Sequence, residues 1–469
     1  MSMMMEGPTA PPVLQARFSD DSTHIIDSDG NRVPLTDPRV VLVWTIDCSP
    51  YVQRLIVSFM RHHGIRCRVS ADTGKATLEY AKRISSGREC IAFRSIAGSI
   101  IRDLAESRNP DEITIYYNHD QHGPCQNGAW PEIWRMYQHA INLRNVVLFS
   151  NFNFRNNYWG LGDELGNELM TAIVFGDCFD EAEGVLRCIA KDAGAALDEF
   201  NRAIDTVVDA AAGGIAPAFK AFKEWSRRMA AIPLSAGLDE TPRVLIFGGL
   251  NTRLVHHPIT TYFIEIGVIP KIVDFGEITI ANESEPALRY NYMRGRVRAR
   301  DYMRFGPVLL DFFRPSSDRR AVWEALRARL AVTLIEKMVR RYRRVAHTSG
   351  LIHDPHIPHE EVVYAGDRLV TSISYAETVL IAGRYVKTIE SGAYDGLVQV
   401  GVFGCPPTIN AHAVLRPLAN KSEVPYVALD VEGPWISANQ TVLLESLAVQ
   451  ARRERARKIA ARTTRPSGR

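Results

Sequence analysis

Residues 395–440 read DGLVQVGVFGCPPTINAHAVLRPLANKSEVPYVALDVEGPWISANQ. The apolar run at residues 397–402 predicts a buried strand, a helical pattern begins near Thr408, and residues 424–429 form a second apolar run. A strand, a helix and a strand in this order favour a parallel sheet. Cys405 is therefore expected in the turn at the carboxyl end of a parallel strand, which is where open α/β sheets bind their ligands.

The amino-terminal half of the chain shows the same kind of pattern. Residues 40–46 (VVLVWTI) form a continuous apolar run, which is typical of a strand buried on both faces. Capping residues and a proline follow and predict the start of a helix, after which residues 65–69 predict the next strand. Further strands are predicted at residues 113–117, 146–149 and 244–247, so the sequence indicates an α/β protein.

We divide the chain into five segments by composition and pattern. The third segment is rich in alanine and long helical patterns, which predicts helices between two α/β domains. The segments are an extended or disordered leader (1–37), a first α/β domain (38–160), a helical segment (161–236), a second α/β domain (237–451) and a basic tail (452–469).

Bulk composition narrows the classes of partner. The net charge of +3 and the 46% hydrophobic content are those of an ordinary globular protein, so no nucleic-acid partner is expected. No apolar run approaches the ~18 residues of a membrane span, and the first residues lack a secretory signal, so we expect a cytoplasmic protein without a membrane partner. The basic run at residues 340–344 (RRYRR) and the tail predict solvated surface, with a docking surface for an acidic partner as the alternative.

The seven cysteines are an odd number without a secretory signal, which favours a reducing compartment. Cys90, Cys125 and Cys405 each lie beside glycine or proline, or next to a predicted helix start or strand end. Such surroundings favour the thiolate, which is the form that binds iron or zinc. Their spacing matches no compact ferredoxin or zinc-ribbon motif, so the residues alone leave a shared site open. Cys178 and Cys188 lie in the helical segment and are expected in the core.

Three motifs carry a family resemblance. They are Ser86-Gly87-Arg88-Glu89-Cys90, then Gly123-Pro124-Cys125 with Gly128, then Asp395-Gly396 with Phe403-Gly404-Cys405 and Pro407. In this order they resemble the superfamily of 2-hydroxyacyl-CoA dehydratases and benzoyl-CoA reductases, and among its members the proteins related to CoA-enzyme activases and the double-cubane-cluster proteins. The resemblance covers most of residues 38–451 and is thin in the middle.

The resemblance implies two Rossmann-like (flavodoxin-like) parallel-sheet domains with an iron–sulfur cluster between them. Cys90, Cys125 and Cys405 would hold a [4Fe–4S] cluster, alone or as part of a double cubane, and leave one iron without a protein ligand. The resemblance also implies that the electron comes from a separate ATP-dependent activator of the actin-like fold, which agrees with the lack of a phosphate-binding loop in this sequence. The chain would then be a reductase or dehydratase-like component that acts on a small molecule such as an acyl-CoA, as a homodimer or a heterodimer.

Departures from the family pattern leave the substrate open. They are Gln126, Asn127 and Trp130, where the family often has Arg, Phe and Tyr, and Pro406 in place of Met. Two alternatives to the enzyme stay open, which are a non-catalytic electron-transfer or assembly subunit and a scaffold in which the three cysteines and a histidine bind zinc.

Further residues are candidates without an assigned role, and no catalytic residue is assigned. Cys48 is a candidate additional ligand, because its turn also ends a predicted strand. His119 and His122 would donate to the sulfur ligands, carry protons or serve only as loop residues. The pair His256-His257 predicts a surface loop, with metal binding as the alternative.

Overall fold

The computed structural model describes residues 14–21, 23–118, 125–150, 162–296, 298, 305–314, 318–372 and 377–464. The chain divides into two compact units. Unit 1 comprises residues 1–172 and 206–221, and unit 2 comprises residues 173–205 and 222–469. Each unit contains a four-stranded parallel sheet with helices between its strands, so the predicted α/β fold with two Rossmann-like sheets is confirmed.

Unit 1 begins with a small antiparallel sheet of three strands, β1 Arg17–Phe18, β2 His24–Ile26 and β3 Arg32–Pro34. Its parallel sheet contains β4 Val40–Trp44, β5 Arg66–Val69, β6 Ile113–Asn118 and β7 Val146–Ser150. The helices between these strands are α1 Pro50–His62, α2 Lys75–Ala81, α3 Ile91–Glu106 and α4 Trp130–Ala140, the last preceded by a 3-10 helix, Gln126–Ala129. All five residues of β4 are buried, which explains the continuous apolar run of its sequence.

Three long helices follow, α5 Gly162–Ile189, α6 Ala193–Ala211 and α7 Ile215–Ala230. They fall within the segment where the sequence predicts helices. Each helix contributes residues to both units, because the division of the chain passes through all three of them. Of the helices in the described part of the chain, none has the length and hydropathy needed to cross a bilayer.

Unit 2 has a parallel sheet of β8 Arg243–Phe247, β9 Ile269–Ile272, β10 Gly396–Val402 and β11 Tyr426–Val431. Strands β8, β9 and β10 are buried along their whole length. The helices of this unit are α8 Leu250–Val255, α9 His257–Glu265, α10 Phe275–Met293, α11 Phe305–Phe312, α12 Arg319–His347, α13 His359–Asp367, α14 Thr378–Ser391, α15 Pro406–Ala419 and α16 Ala438–Thr464.

The two parallel sheets have the same topology. Their strand orders are β5-β4-β6-β7 and β11-β10-β8-β9. Numbered within each unit, both sheets read 2-1-3-4, the arrangement of flavodoxin-like folds. The order reverses between β4 and β6 in unit 1 and between β8 and β10 in unit 2. In open α/β sheets a crevice forms outside the carboxyl ends of the strands at this switch point, and ligands bind there.

The leader differs from the expected extended or disordered segment. Its described part forms the small antiparallel sheet, in which Ile25 is fully buried. The Asp27 side chain accepts hydrogen bonds from the backbone N–H groups of Asp29 and Asn31 and thereby holds the turn between β2 and β3. Short polar side chains that hydrogen-bond the backbone two residues on favour such turns.

The described parts of the two basic stretches are mostly solvated, as expected, but each contains one buried arginine. Within the run at residues 340–344, the Arg343 side chain is only 2% exposed and pairs with Asp274 at 2.9 Å. Helix α16 runs through residue 452 without a break, and its Arg455 is buried against Asp395 at 2.6 Å. Buried charges require partners, so these two arginines are structural residues of unit 2.

Candidate metal centre

The three cysteines of the predicted cluster occupy equivalent local positions. Cys90 is the N-cap of α3, Cys125 is the N-cap of the 3-10 helix that leads into α4, and Cys405 is the N-cap of α15. A helix N-terminus carries a partial positive charge and unpaired N–H groups, which stabilise a thiolate. Each of the three thiols therefore lies at the start of a helical segment.

Unit 1 brings the segments of Cys90 and Cys125 together. The backbone N–H of Cys90 donates a hydrogen bond of 3.0 Å to the side-chain oxygen of Gln126. The starts of α3 and α4 pack through the rings of Phe93 and Trp130, whose centroids are 5.5 Å apart. Both cysteines are half-buried. Two of the three predicted ligands thus come from neighbouring segments of one unit, and Cys405 belongs to the other.

Buried polar atoms around these two cysteines fit the presence of a bound group. Five buried side-chain atoms in residues 89–95 and 127–130 have no hydrogen-bond partner among the described residues. They are Glu89 Oε2, Arg94 Nε, Ser95 Oγ, Asn127 Oδ1 and Trp130 Nε1. Buried polar groups in proteins are normally satisfied. Several orphaned atoms in the two cysteine-bearing segments are therefore consistent with a polar or charged group held beside the thiols.

Cys405 lies in unit 2 just after β10, the third strand of its sheet, and is 7% exposed. The hydroxyl of Thr408 donates a hydrogen bond to its sulfur at 3.2 Å. The turn is fixed to α14, since the hydroxyl of Thr378 donates to the carbonyl oxygen of Pro407 at 3.1 Å. Hydrogen bonds to sulfur ligands tune the reduction potential of the metal they hold, so Thr408 would have this effect if Cys405 held a metal.

Glu377 is a buried acid at the switch point of unit 2 that the sequence analysis did not identify. It is the N-cap of α14, and its carboxylate accepts the backbone N–H of Leu250, at the start of α8, at 2.7 Å. Gly249 has a φ of +80°, and a side chain there would overlap this carboxylate. Burial raises the pKa of Glu377 to about 7, so this group exchanges a proton near neutral pH.

A network of buried ions in unit 2 surrounds a small cavity. Asp354 accepts hydrogen bonds from Arg384 at 2.7 Å and from the Tyr394 hydroxyl at 2.5 Å, and the Arg343 guanidinium donates to its carbonyl oxygen. The cavity has a volume of about 30 Å³, which holds a water molecule or two but no organic substrate. Burial raises the pKa of Glu277, in the cavity wall, to about 7. The network is therefore part of the core.

Of the four remaining cysteines, Cys48 has a position different from that of the other three. It is buried in the turn after β4 and, like Cys125 after β6, follows a strand at the switch point of unit 1. Burial instead raises the pKa of Cys67 and Cys188 to about 12 and raises that of Cys178 as well. Burial thus keeps these three thiols neutral; Cys178 lies in the core as expected, whereas Cys188 and Cys67 are half-buried.

Of the candidate histidines, two lie outside the described residues and one is buried in the structure. His119 and His122, with Gly123-Pro124, lie outside the described residues. His256 is buried, contrary to the expected surface loop, and its Nδ1 donates to the carbonyl oxygen of Arg253 at 2.7 Å. Burial lowers the pKa of His256 well below its ordinary value, which is typical of a neutral structural histidine.

Comparison with known proteins adds no assignment to this geometry. No protein-family model matches the chain, and no curated protein matches it.

Proposed function

We propose that this chain is an iron–sulfur component that takes a low-potential electron from a separate ATP-dependent activator and transfers it to a small molecule, with an acyl-CoA as the substrate class. Cys90, Cys125 and Cys405 would hold a [4Fe–4S] cluster. Bound there, the cluster would supply one-electron reduction at an iron with no protein ligand. The resemblance of the three motifs to the dehydratase and reductase superfamily motivates the choice of substrate and donor.

The observation that carries the proposal is the matched position of two cysteines. Cys125 and Cys405 each follow the third strand of a 2-1-3-4 sheet and begin the next helical segment. A core cysteine has no reason to recur at the carboxyl edge of two sheets, whereas ligands bind at that edge. The orphaned polar atoms in the segments of Cys90 and Cys125 support the same interpretation.

Residues near these cysteines have roles that follow from their contacts. Gln126 fixes the backbone of Cys90, and Thr408 donates to the Cys405 sulfur. Adding electrons to an organic substrate also consumes protons. Glu377 is a proton source of suitable strength, because a pKa of about 7 leaves a large part of it protonated at neutral pH.

Anaerobic purification with iron and sulfide quantification tests the proposal. We expect a brown protein with about four irons and four sulfides per chain. Cys90→Ser, Cys125→Ser and Cys405→Ser should each remove the iron absorbance. The matched controls Cys178→Ser and Cys188→Ser remove neutral thiols from α5 and should retain it. An iron-free protein after anaerobic purification refutes the proposal.

The same preparation separates the two alternatives. Stoichiometric zinc without sulfide identifies a zinc-stapled scaffold and refutes the cluster. An intact cluster without any binding of CoA esters, and with electron transfer only to a partner protein, identifies a non-catalytic subunit. Electron paramagnetic resonance of the reduced protein reports whether the iron is in a cubane cluster.

A further inference from the structure

A histidine and two glutamates form a group in unit 1 that includes none of the predicted cysteine ligands. His62 ends α1, and Glu164 and Glu168 lie one turn apart on the first part of α5. The ligand atoms of these three side chains all lie within 4.8 Å of one another. Among the described residues of unit 1, these are the three potential metal-ligand atoms that lie so close together, and none of them belongs to a cysteine.

The distances in this group suit a shared ion better than direct hydrogen bonds. His62 Nε2 lies 3.9 Å from Glu164 Oε1 and 3.8 Å from Glu168 Oε1. Both separations exceed the length of a hydrogen bond. Two ligand atoms that are each about 2.1 Å from one metal ion lie at most about 4.2 Å apart. The His62 nitrogen meets this limit with both glutamates, and the two carboxylates, which lie within 4.8 Å of each other, can meet it through a small movement of the exposed Glu164 side chain.

Glu168 gives independent evidence for a ligand. Its side chain is 1% exposed, and one oxygen, Oε2, is 2.5 Å from His63 Nε2. The other oxygen, Oε1, is buried and has no hydrogen-bond partner among the described residues, although it is the oxygen nearest to His62. A buried carboxylate oxygen without a partner is unfavourable. A cation between Glu168 and His62 would satisfy it.

The surroundings leave space and access for such an ion. Gly214 has a φ of +89°, and a Cβ atom there would lie 3.1 Å from His62 Nε2 and 3.6 Å from Glu168 Oε1. The absence of a side chain keeps the region beside these two atoms open. Glu164 is 66% exposed and His62 is 31% exposed, so an ion can enter from solvent and keep water ligands.

We propose that His62, Glu164 and Glu168 bind a divalent transition-metal ion such as Mn²⁺ or Zn²⁺. Imidazole nitrogen and carboxylate oxygen are suitable donors for these ions. His63 is a positioning residue, since its contact with Oε2 orients Glu168 toward the ion. The ion would join the end of α1 to the start of α5 within unit 1. The site is independent of the proposed iron–sulfur function.

Titration of the full-length protein with Mn²⁺ tests the site, because Mn²⁺ prefers oxygen and nitrogen ligands and discriminates against the thiols. Loss of the free Mn²⁺ signal in electron paramagnetic resonance gives the stoichiometry. We expect one ion per chain in the wild type. Glu164→Gln, His62→Ala and Glu168→Gln should each weaken binding at least about tenfold. Glu164 is exposed, so its variant should fold normally.

The control Asp163→Asn removes an exposed charge from the same turn of α5 that is not one of the three ligand groups, and it should bind Mn²⁺ as the wild type does. Mn²⁺ should also raise the melting temperature of the wild type and the control but not that of Glu164→Gln. Unchanged Mn²⁺ affinity in Glu164→Gln and His62→Ala overturns the proposal. So does loss of binding in Cys90→Ser with retention in Glu164→Gln.

Discussion

Replacing Glu377 with glutamine should stabilise the protein at pH 8 and change its stability much less at pH 5. The wild-type carboxylate is buried, and the backbone N–H of Leu250 only partly offsets the lost hydration of its charge. Glutamine has nearly the same shape, and its side-chain oxygen can accept the same N–H group. The substitution therefore removes the penalty for ionisation and retains the packing.

The magnitude follows from the two pKa values. The carboxyl ionises near its ordinary value of 4.5 in the unfolded chain and near 7 in the folded protein. Between these values the folded state binds more protons than the unfolded state, so stability falls as the pH rises. The penalty is absent well below pH 4.5, about 0.8 kcal/mol at pH 5 and about 3.3 kcal/mol at pH 8. The stability of Glu377→Gln relative to the wild type should thus increase by about 2.5 kcal/mol from pH 5 to pH 8.

Urea unfolding of both proteins at pH 5 and pH 8, followed by circular dichroism, measures this difference. Burial also raises the pKa of Asp177 and Glu277 to about 7. Both proteins contain these groups, so their contribution cancels in the comparison between the variant and the wild type. What remains is the pH dependence that Glu377 alone produces.

The matched control is Glu390→Gln, which removes a charge from the other end of α14, where the side chain is 49% exposed. Its stability relative to the wild type should not change with pH by a comparable amount. If the difference between Glu377→Gln and the wild type is equal at pH 5 and pH 8, the burial argument is wrong. A difference that decreases as the pH rises contradicts the predicted sign.

Three further substitutions test the same unit. Gly249→Ala should lower the free energy of unfolding by about 2–4 kcal/mol in urea titrations, because it strains a positive φ and overlaps the Glu377 carboxylate; a neutral effect contradicts the close contact. Arg253→Met should lower it by about 3–5 kcal/mol, because the buried Asp177 and the half-buried Asp180 lose their cation; a loss below 1 kcal/mol contradicts this role. Thr408→Val should make the reduction potential of a cluster on Cys405 more negative in redox titrations, because the sulfur loses a donor; an unchanged potential excludes tuning by this hydroxyl.

Fold elements were predictable where burial leaves a simple pattern in the sequence. Strands β4 and β10 are buried on both faces, so their sequences are continuous apolar runs. Strand β9 was missed because Pro270 and Lys271 occupy half of its four positions. Lys271 is fully buried and pairs with Glu181 at 3.3 Å. Lys271 also pairs with Asp274, and the burial of this charged pair depends on the fold around it, so the apolar pattern typical of a strand is absent here.

The candidate site was predictable only in part, for a similar reason. Glycine, proline and the helical patterns around Cys90 and Cys405 predict helix starts, and both cysteines are N-caps. Glu377 has no comparable local signal, because its burial depends on the turn at Gly249, far away in the sequence. For the metal group in unit 1, the i, i+4 spacing of Glu164 and Glu168 was visible, but their approach to His62 required the fold.

The shared topology makes the difference between the two units informative. The third strand of each sheet is preceded by a helix, α3 in unit 1 and α14 in unit 2. The N-cap of that helix is Cys90 in unit 1 and Glu377 in unit 2. The corresponding position thus supplies a thiol in one unit and a buried acid with a raised pKa in the other. Under the proposed function, unit 2 would therefore supply one sulfur ligand, Cys405, and a carboxyl group that can give up a proton near neutral pH.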